Sequence, residues 1–127
     1  MPAKRITKKQ RQAKLMRVDG LVLDVRAHEV QGKSGAWKLT PKECQLLAEF
    51  MRHPEEVLTR KHLMKEIWET DYLGDTRTLN VHVRWLRQKI EEDPSSPRYL
   101  RTVRGVGYRF GIPDRSLIAG QQSVASG

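Results

Sequence analysis

The stretch RTLNVHVRWLRQKI (residues 77–90) decides the fold. Leu79, Val83, Leu86 and Ile90 recur at intervals of 4, 3 and 4 residues. At about 100° per residue they fall in one narrow stripe. This spacing predicts a helix that begins at about 75–77 and runs to 92, where Asp93-Pro94 stops it. The opposite face presents Arg77, Val81, Arg84, Trp85 and Gln88, with Asn80 and Arg87 on one flank and Thr78, His82 and Lys89 on the other. A solvated helix face normally mixes Glu with Lys, yet from Arg77 to Ile90 there is no acid. Arginines beside apolar groups suit the major groove of DNA, which is about as wide as a helix. There a guanidinium pairs bidentately with guanine and an apolar group meets the thymine methyl. The other basic and hydroxyl groups suit phosphate. Packing of Val81 and Trp85 against a neighbouring element would explain the same two residues, and the sequence leaves both readings open.

Downstream, LRTVRGVGYRF (100–110) reads as a β-hairpin: two strand-forming runs around a glycine-containing turn. Gly105 and Gly107 are expected to supply positive φ and a slim tip. Arg104 sits at that tip, where a guanidinium suits a narrow, electronegative minor groove; Thr102 and Tyr108 suit hydrogen bonds to phosphate. A nucleotide-binding glycine loop is a poor alternative, because the full G-x-G-x-x-G is absent and no helix follows.

Upstream, LTPKECQLL (39–47) carries a helix start: Thr40 as N-cap, Pro41 at the first helical position, and Glu43 three residues after the cap. Leu39 and Cys44 take the staple positions, which makes Cys44 a packing residue. Leu47, Phe50 and Met51 extend the apolar face until His53-Pro54. Thr59 caps a second helix with Leu63, Met64 and Ile67 inside, followed by a more acidic loop, 69–76. Before these helices, LVLDVR (21–26) alternates as a half-buried strand, and HEVQ turns through GKSG (32–35) into AWKL (36–39). The order of small antiparallel sheet, three helices and hairpin is an α+β arrangement.

Composition sets the frame. The chain has 127 residues with a net charge of +9, from 24 Lys and Arg against 15 Asp and Glu. Residues 1–17 hold seven of the basic side chains and no acid. That balance points to a polyanion partner: DNA, RNA or an anionic membrane surface. A single cysteine excludes an internal disulfide and a thiolate zinc cluster, and the four histidines lack the close spacing of a metal site. No apolar run approaches a membrane span, and no apolar signal-peptide core follows the basic N-terminus. No catalytic nucleophile–base pair or carboxylate pair with supporting context is present, so neither an enzyme nor a cofactor is expected, and a cytoplasmic location is. Residues 1–16 are expected to form a basic tail or linker, 17–112 the folded domain, and 113–127 a flexible tail.

Four segments in this order and spacing, LTPKECQLL (39–47), TRKHLMKEIW (59–68), RTLNVHVRWLRQKIEEDP (77–94) and RTVRGVGYRF (101–110), resemble the winged helix-turn-helix output domain of OmpR/PhoB-class bacterial response regulators. The resemblance covers roughly residues 20–112. It implies sequence-specific binding to double-stranded DNA and transcriptional regulation, with the helix 77–92 in the major groove and the hairpin 101–110 as a wing. It implies backbone contacts from Arg77, Thr78, His82, Arg84, Arg87 and Tyr108, and a phosphate contact from Trp68. Val81 and Trp85 match base-facing positions; Thr102 and Arg104 match wing positions. The loop Glu69, Thr70, Asp71, Tyr72, Leu73, Gly74, Asp75 and Thr76 matches the segment that touches RNA polymerase. By the same likeness two copies bind head-to-tail on direct repeats. This chain departs from the pattern in Trp85, which stands where an arginine is common. A sugar stack or a thymine-methyl contact is then the alternative to a guanine contact. The family also carries a phospho-accepting receiver domain ahead of this one, for which these residues have no room. The expectation is therefore an excised output domain or a free-standing regulator, with 1–17 as a linker or an arm that adds phosphate contacts.

Overall fold

The computed structural model describes residues 15–33, 35–70 and 77–111. The expected tail at 113–127, residues 1–14 of the basic segment, and Asp71, Tyr72, Leu73, Gly74, Asp75 and Thr76 of the acidic loop lie outside the described residues.

Four strands open the fold as an antiparallel meander: β1 (Leu15–Val18), β2 (Leu21–Asp24), β3 (Glu29–Gly32) and β4 (Gly35–Lys38). The first was not expected, and it carries the folded region two residues ahead of position 17. Val18 pairs with Leu21 across a two-residue turn, Asp19-Gly20, in which both residues have positive φ (49° and 91°). Such turns match the twist of a hairpin and favour Asp-Gly. Leu21, Leu23 and Val30 point inward and are buried; Leu23 lies opposite Val30 across the strand pair.

Helix α1 (Pro41–Arg52) begins as the sequence predicts. The Glu43 amide donates to Thr40 Oγ1 at 3.2 Å, and the Thr40 amide donates to Glu43 Oε1 at 2.8 Å. Leu39 and Cys44 are both buried beside this cap. Burial raises the pKa of the Cys44 thiol, with Asp24 adding to the effect, as befits an inert packing residue. Next come β5 (Val57–Thr59), a second strand absent from the expectations, and α2 (Arg60–Trp68), whose N-cap Thr59 accepts from the His62 amide at 3.0 Å.

Helix α3 (Arg77–Ile90) buries Leu79, Val83, Leu86 and Ile90, the stripe expected of it. It ends two residues before position 92 because Glu91 turns inward. The Glu91 carboxylate is 7 % exposed and accepts from the backbone amides of Arg98 (2.8 Å), Tyr99 (3.0 Å) and Leu100 (2.8 Å). That clamp sets where the final strands start.

β6 (Leu100–Val103) and β7 (Gly107–Phe110) form the hairpin, and β5 pairs with the outer side of β7 to give a three-stranded sheet ordered β5-β7-β6. Gly105 has the expected positive φ (77°), whereas Gly107 is needed for a different reason. A Cβ there would lie 2.0 Å from the Leu58 carbonyl oxygen, so β5 can approach β7 only if position 107 has no side chain. Leu58, Leu100 and Phe110 close the core against Phe50 of α1. The Phe50 ring stacks on Phe110 with centroids 6.3 Å apart and meets Tyr108 edge-on at 6.4 Å.

Candidate nucleic-acid interface

Among the described residues, nothing covers the outer side of α3. Val81 and Trp85 are 37 % and 41 % exposed, so they do not pack into a neighbouring element. Arg77, Thr78, Asn80, Arg84 and Gln88 are exposed with them. This surface is polar and cationic at its edges and apolar along its centre.

Three rings form a column across it. Trp68, the last residue of α2, meets His82 edge-on with centroids 5.1 Å apart, and His82 meets Trp85 at 5.0 Å in a tilted arrangement. The His82 ring is fixed in turn, because its Nδ1 bonds the Thr78 carbonyl oxygen at 2.8 Å. A carbonyl only accepts, so Nδ1 carries the proton and Nε2 is the remaining polar atom of the ring. Lys42 Nζ donates to the Ile67 carbonyl at 2.8 Å and lies 5.9 Å from the Trp68 ring centroid, which braces the far end of the column.

A second cluster ties α3 to the wing. Arg87 is half-buried; its Nε donates to the Leu100 carbonyl at 2.9 Å and an Nη to Thr102 Oγ1 at 2.9 Å. Burial lowers the pKa of this guanidinium, opposed by Tyr108 and Glu91, but an arginine starts high enough to remain charged. Tyr108 is only 4 % exposed, and its hydroxyl donates to Asn80 Oδ1 at 2.8 Å. This departs from the expectation of a phenol presented to phosphate. Position 108 faces inward, opposite Leu58 on one side and Thr102 on the other, so the side chain enters the seam between helix and sheet. Two guanidiniums approach the Tyr108 ring, Arg60 at 5.2 Å and Arg87 at 5.8 Å from its centroid.

Two basic residues change status. Lys89, expected on the flank of the helix face, bonds the buried Glu43 at 2.7 Å and the Lys38 carbonyl at 3.0 Å, so it serves the cap of α1. Arg60 was not singled out in the sequence. As the first residue of α2 its position looks like an ordinary helix start, and only the fold sets it over Tyr108 beside the wing turn. There its amide donates to the Val106 carbonyl at 3.4 Å. Arg104 is exposed in that turn, as expected, beside Val106, which is 45 % exposed. The described part of the acidic loop is short. Glu69 has left-handed φ (54°) and ends α2, and Thr70 follows it.

Comparison with known proteins agrees with this geometry. A family model described as "Transcriptional regulatory protein, C terminal" matches residues 34–110. The alkaline phosphatase synthesis transcriptional regulatory protein SphR of Synechococcus elongatus is 48 % identical over 97 residues, covering 76 % of this chain and 38 % of SphR. The chain thus spans well under half the length of this curated relative. Among solved structures, the Klebsiella pneumoniae RstA DNA-binding domain in complex with the RstA box superposes with a TM-score of 0.69 at 26 % identity, covering 77 % of this chain and 97 % of that one. The Thermotoga maritima response regulator DrrB, an OmpR/PhoB homologue, gives 0.67 at 31 % identity, covering 77 % and 44 %. With its sheet, three helices and wing, the chain belongs to the transcriptional regulatory protein C-terminal family, as an effector domain of the OmpR/PhoB type.

Proposed function

We propose that this chain is a sequence-specific, double-stranded-DNA-binding output domain that regulates transcription in the cytoplasm, with α3 in the major groove and the wing on the adjacent minor groove or backbone. One observation carries the reading: an acid-free helix face with exposed arginines at its edges and two exposed apolar side chains along its centre. A helix of this width fits the major groove of B-DNA, whereas the major groove of duplex RNA is too narrow for it.

Within this reading Arg77, Thr78, His82 and Arg84 contact phosphates along the groove, and Trp68 adds a contact at the end of α2. Val81 and Trp85 face base edges, and Arg104 reaches from the wing turn. Thr102 and Arg87, already bonded to each other, meet the backbone as one unit, and Tyr108 acts by holding Asn80, Arg60 and Arg87 in place. Two copies bind head-to-tail on direct repeats, and the loop 69–76 offers a contact for RNA polymerase. RstA, an effector domain of similar fold, was solved on its DNA box, which supports the reading without transferring its site.

Selection of bound duplexes from a random pool tests this directly. The expected result is an enriched motif repeated at about one helical turn. Binding should weaken with salt at a slope of log K against log[salt] on the order of −6, for about six to eight neutralised phosphates. Equal binding to structured RNA in a competition gel shift, or no enriched motif, would overturn it.

A further inference from the structure

The base-facing stripe of α3 is apolar where a guanine-reading surface would be cationic. Val81 and Trp85 lie one turn apart on the same face, and both are exposed. An indole has one polar atom, a single donor, and cannot form the bidentate pair by which arginine recognises guanine. Its remaining edge is C–H. In the major groove the one apolar group that a base pair displays is the C5-methyl of thymine.

The ring is also held in place. Trp85 leans on His82, His82 is bonded to the Thr78 carbonyl and backed by Trp68, and Lys42 flanks Trp68. A large exposed side chain that sampled many rotamers would read no particular base, because ordering it on binding costs entropy. A ring packed at a tilt against a fixed neighbour loses little.

We propose that Trp85, positioned by the column Trp68–His82, reads thymine methyl groups in the major groove, so that this chain's half-site is specified by thymine at the step where an arginine would select guanine. The proposal rests on the DNA-binding reading above.

The experiment replaces thymines by deoxyuridine, one at a time, in the duplex recovered by site selection with the full chain. Deoxyuridine removes the methyl and keeps the base pair. At the Trp85 step the wild-type protein is expected to lose roughly fourfold in affinity, the factor for one buried methyl-sized group. Trp85→Ala should bind thymine and deoxyuridine duplexes equally; since Trp85 is outside the core, its fold should be intact by circular dichroism. Trp85→Arg should shift the selected base at that step to guanine. His82 acts through Trp85, so the informative readout is the thymine-to-deoxyuridine ratio and not affinity itself. His82→Phe should keep the ratio and His82→Ala should lower it. A wild-type protein indifferent to deoxyuridine at every position, with Trp85→Ala weakening all duplexes alike, would mean that the indole stacks on sugar, and the proposal would fall while DNA binding stood. Failure to bind any duplex would remove the DNA-binding reading and this inference with it.

Discussion

Replacing Glu91 by alanine should loosen the wing without touching any residue assigned above to the proposed DNA face. In the folded chain the Glu91 carboxylate accepts from three successive amides, those of Arg98, Tyr99 and Leu100, at 2.8 to 3.0 Å. A hydrogen bond to a charged acceptor contributes about 1.5–3 kcal/mol, so simple addition would give roughly 5–9 kcal/mol. That sum is too large, because the Arg98 and Tyr99 amides are only partly buried and water can replace the carboxylate there. The Leu100 amide is fully buried and would be left unpaired, a cost of about 1–3 kcal/mol. The expected destabilisation is about 3 kcal/mol, on the order of 10–20 °C in the melting midpoint for a domain of this size. Urea unfolding of Glu91→Ala beside Glu92→Ala measures it, with Glu92 as the control since that side chain is exposed. Amide exchange should quicken across 98–110 while the α1 amides change little. A loss below about 0.5 kcal/mol, or equal losses for the two variants, would refute the claim that this carboxylate anchors the hairpin.

Arg84→Ala should weaken binding to every duplex by on the order of 1 kcal/mol and make the salt slope shallower by about 1, as read by fluorescence anisotropy at several ionic strengths. A change in the preferred sequence would instead move Arg84 among the base readers. Gly107→Ala should destabilise the domain by more than the roughly 1 kcal/mol expected of an alanine forced to positive φ at Gly105, because its Cβ would strike the Leu58 backbone where Gly105 has open space; paired thermal melts compare them. Stability should also fall in acid through Glu49. Burial raises the pKa of its carboxyl, but hydrogen bonds from His62 and Arg52 together with their charges outweigh it and hold the value below the ordinary one. A depressed folded-state pKa means stability present above the unfolded-state value and lost as pH falls through the folded one. The decline should therefore run through and below the usual carboxylate range. Glu49→Gln should flatten that part of the stability–pH curve, measured by urea midpoints from neutral pH downward.

What the sequence made legible was local. The Thr40–Glu43 cap and the Leu79–Val83–Leu86–Ile90 stripe are written within one or two helical turns, and both are present as expected. The exposed face of α3 followed from the same stripe. Long-range pairings were harder. β5 is three residues long, exists as a strand because β7 lies beside it, and leaves no periodic signal. Lys89 was expected on the flank of the α3 face and Glu91 was not singled out, because their partners lie 46 and 7 to 9 residues away, beyond any helical spacing. Tyr108 looked like a free phenol because hairpin alternation does not say which face a helix covers. β1 is the exception, since the Asp19-Gly20 pair between apolar residues is a strong hairpin signal that the basic run before it obscured.

The seam at Tyr108 has a consequence for how a duplex is met. With Arg60 and Arg87 against its ring and its hydroxyl on Asn80, this one residue locks the start of α2, the middle of α3 and the hairpin into a single caliper. The gap between its jaws is set when the chain folds, before any nucleic acid arrives. On the reading proposed above, such an instrument measures the offset between neighbouring grooves as well as their letters, so duplexes of identical sequence but altered twist, bent or supercoiled, should be gripped unequally.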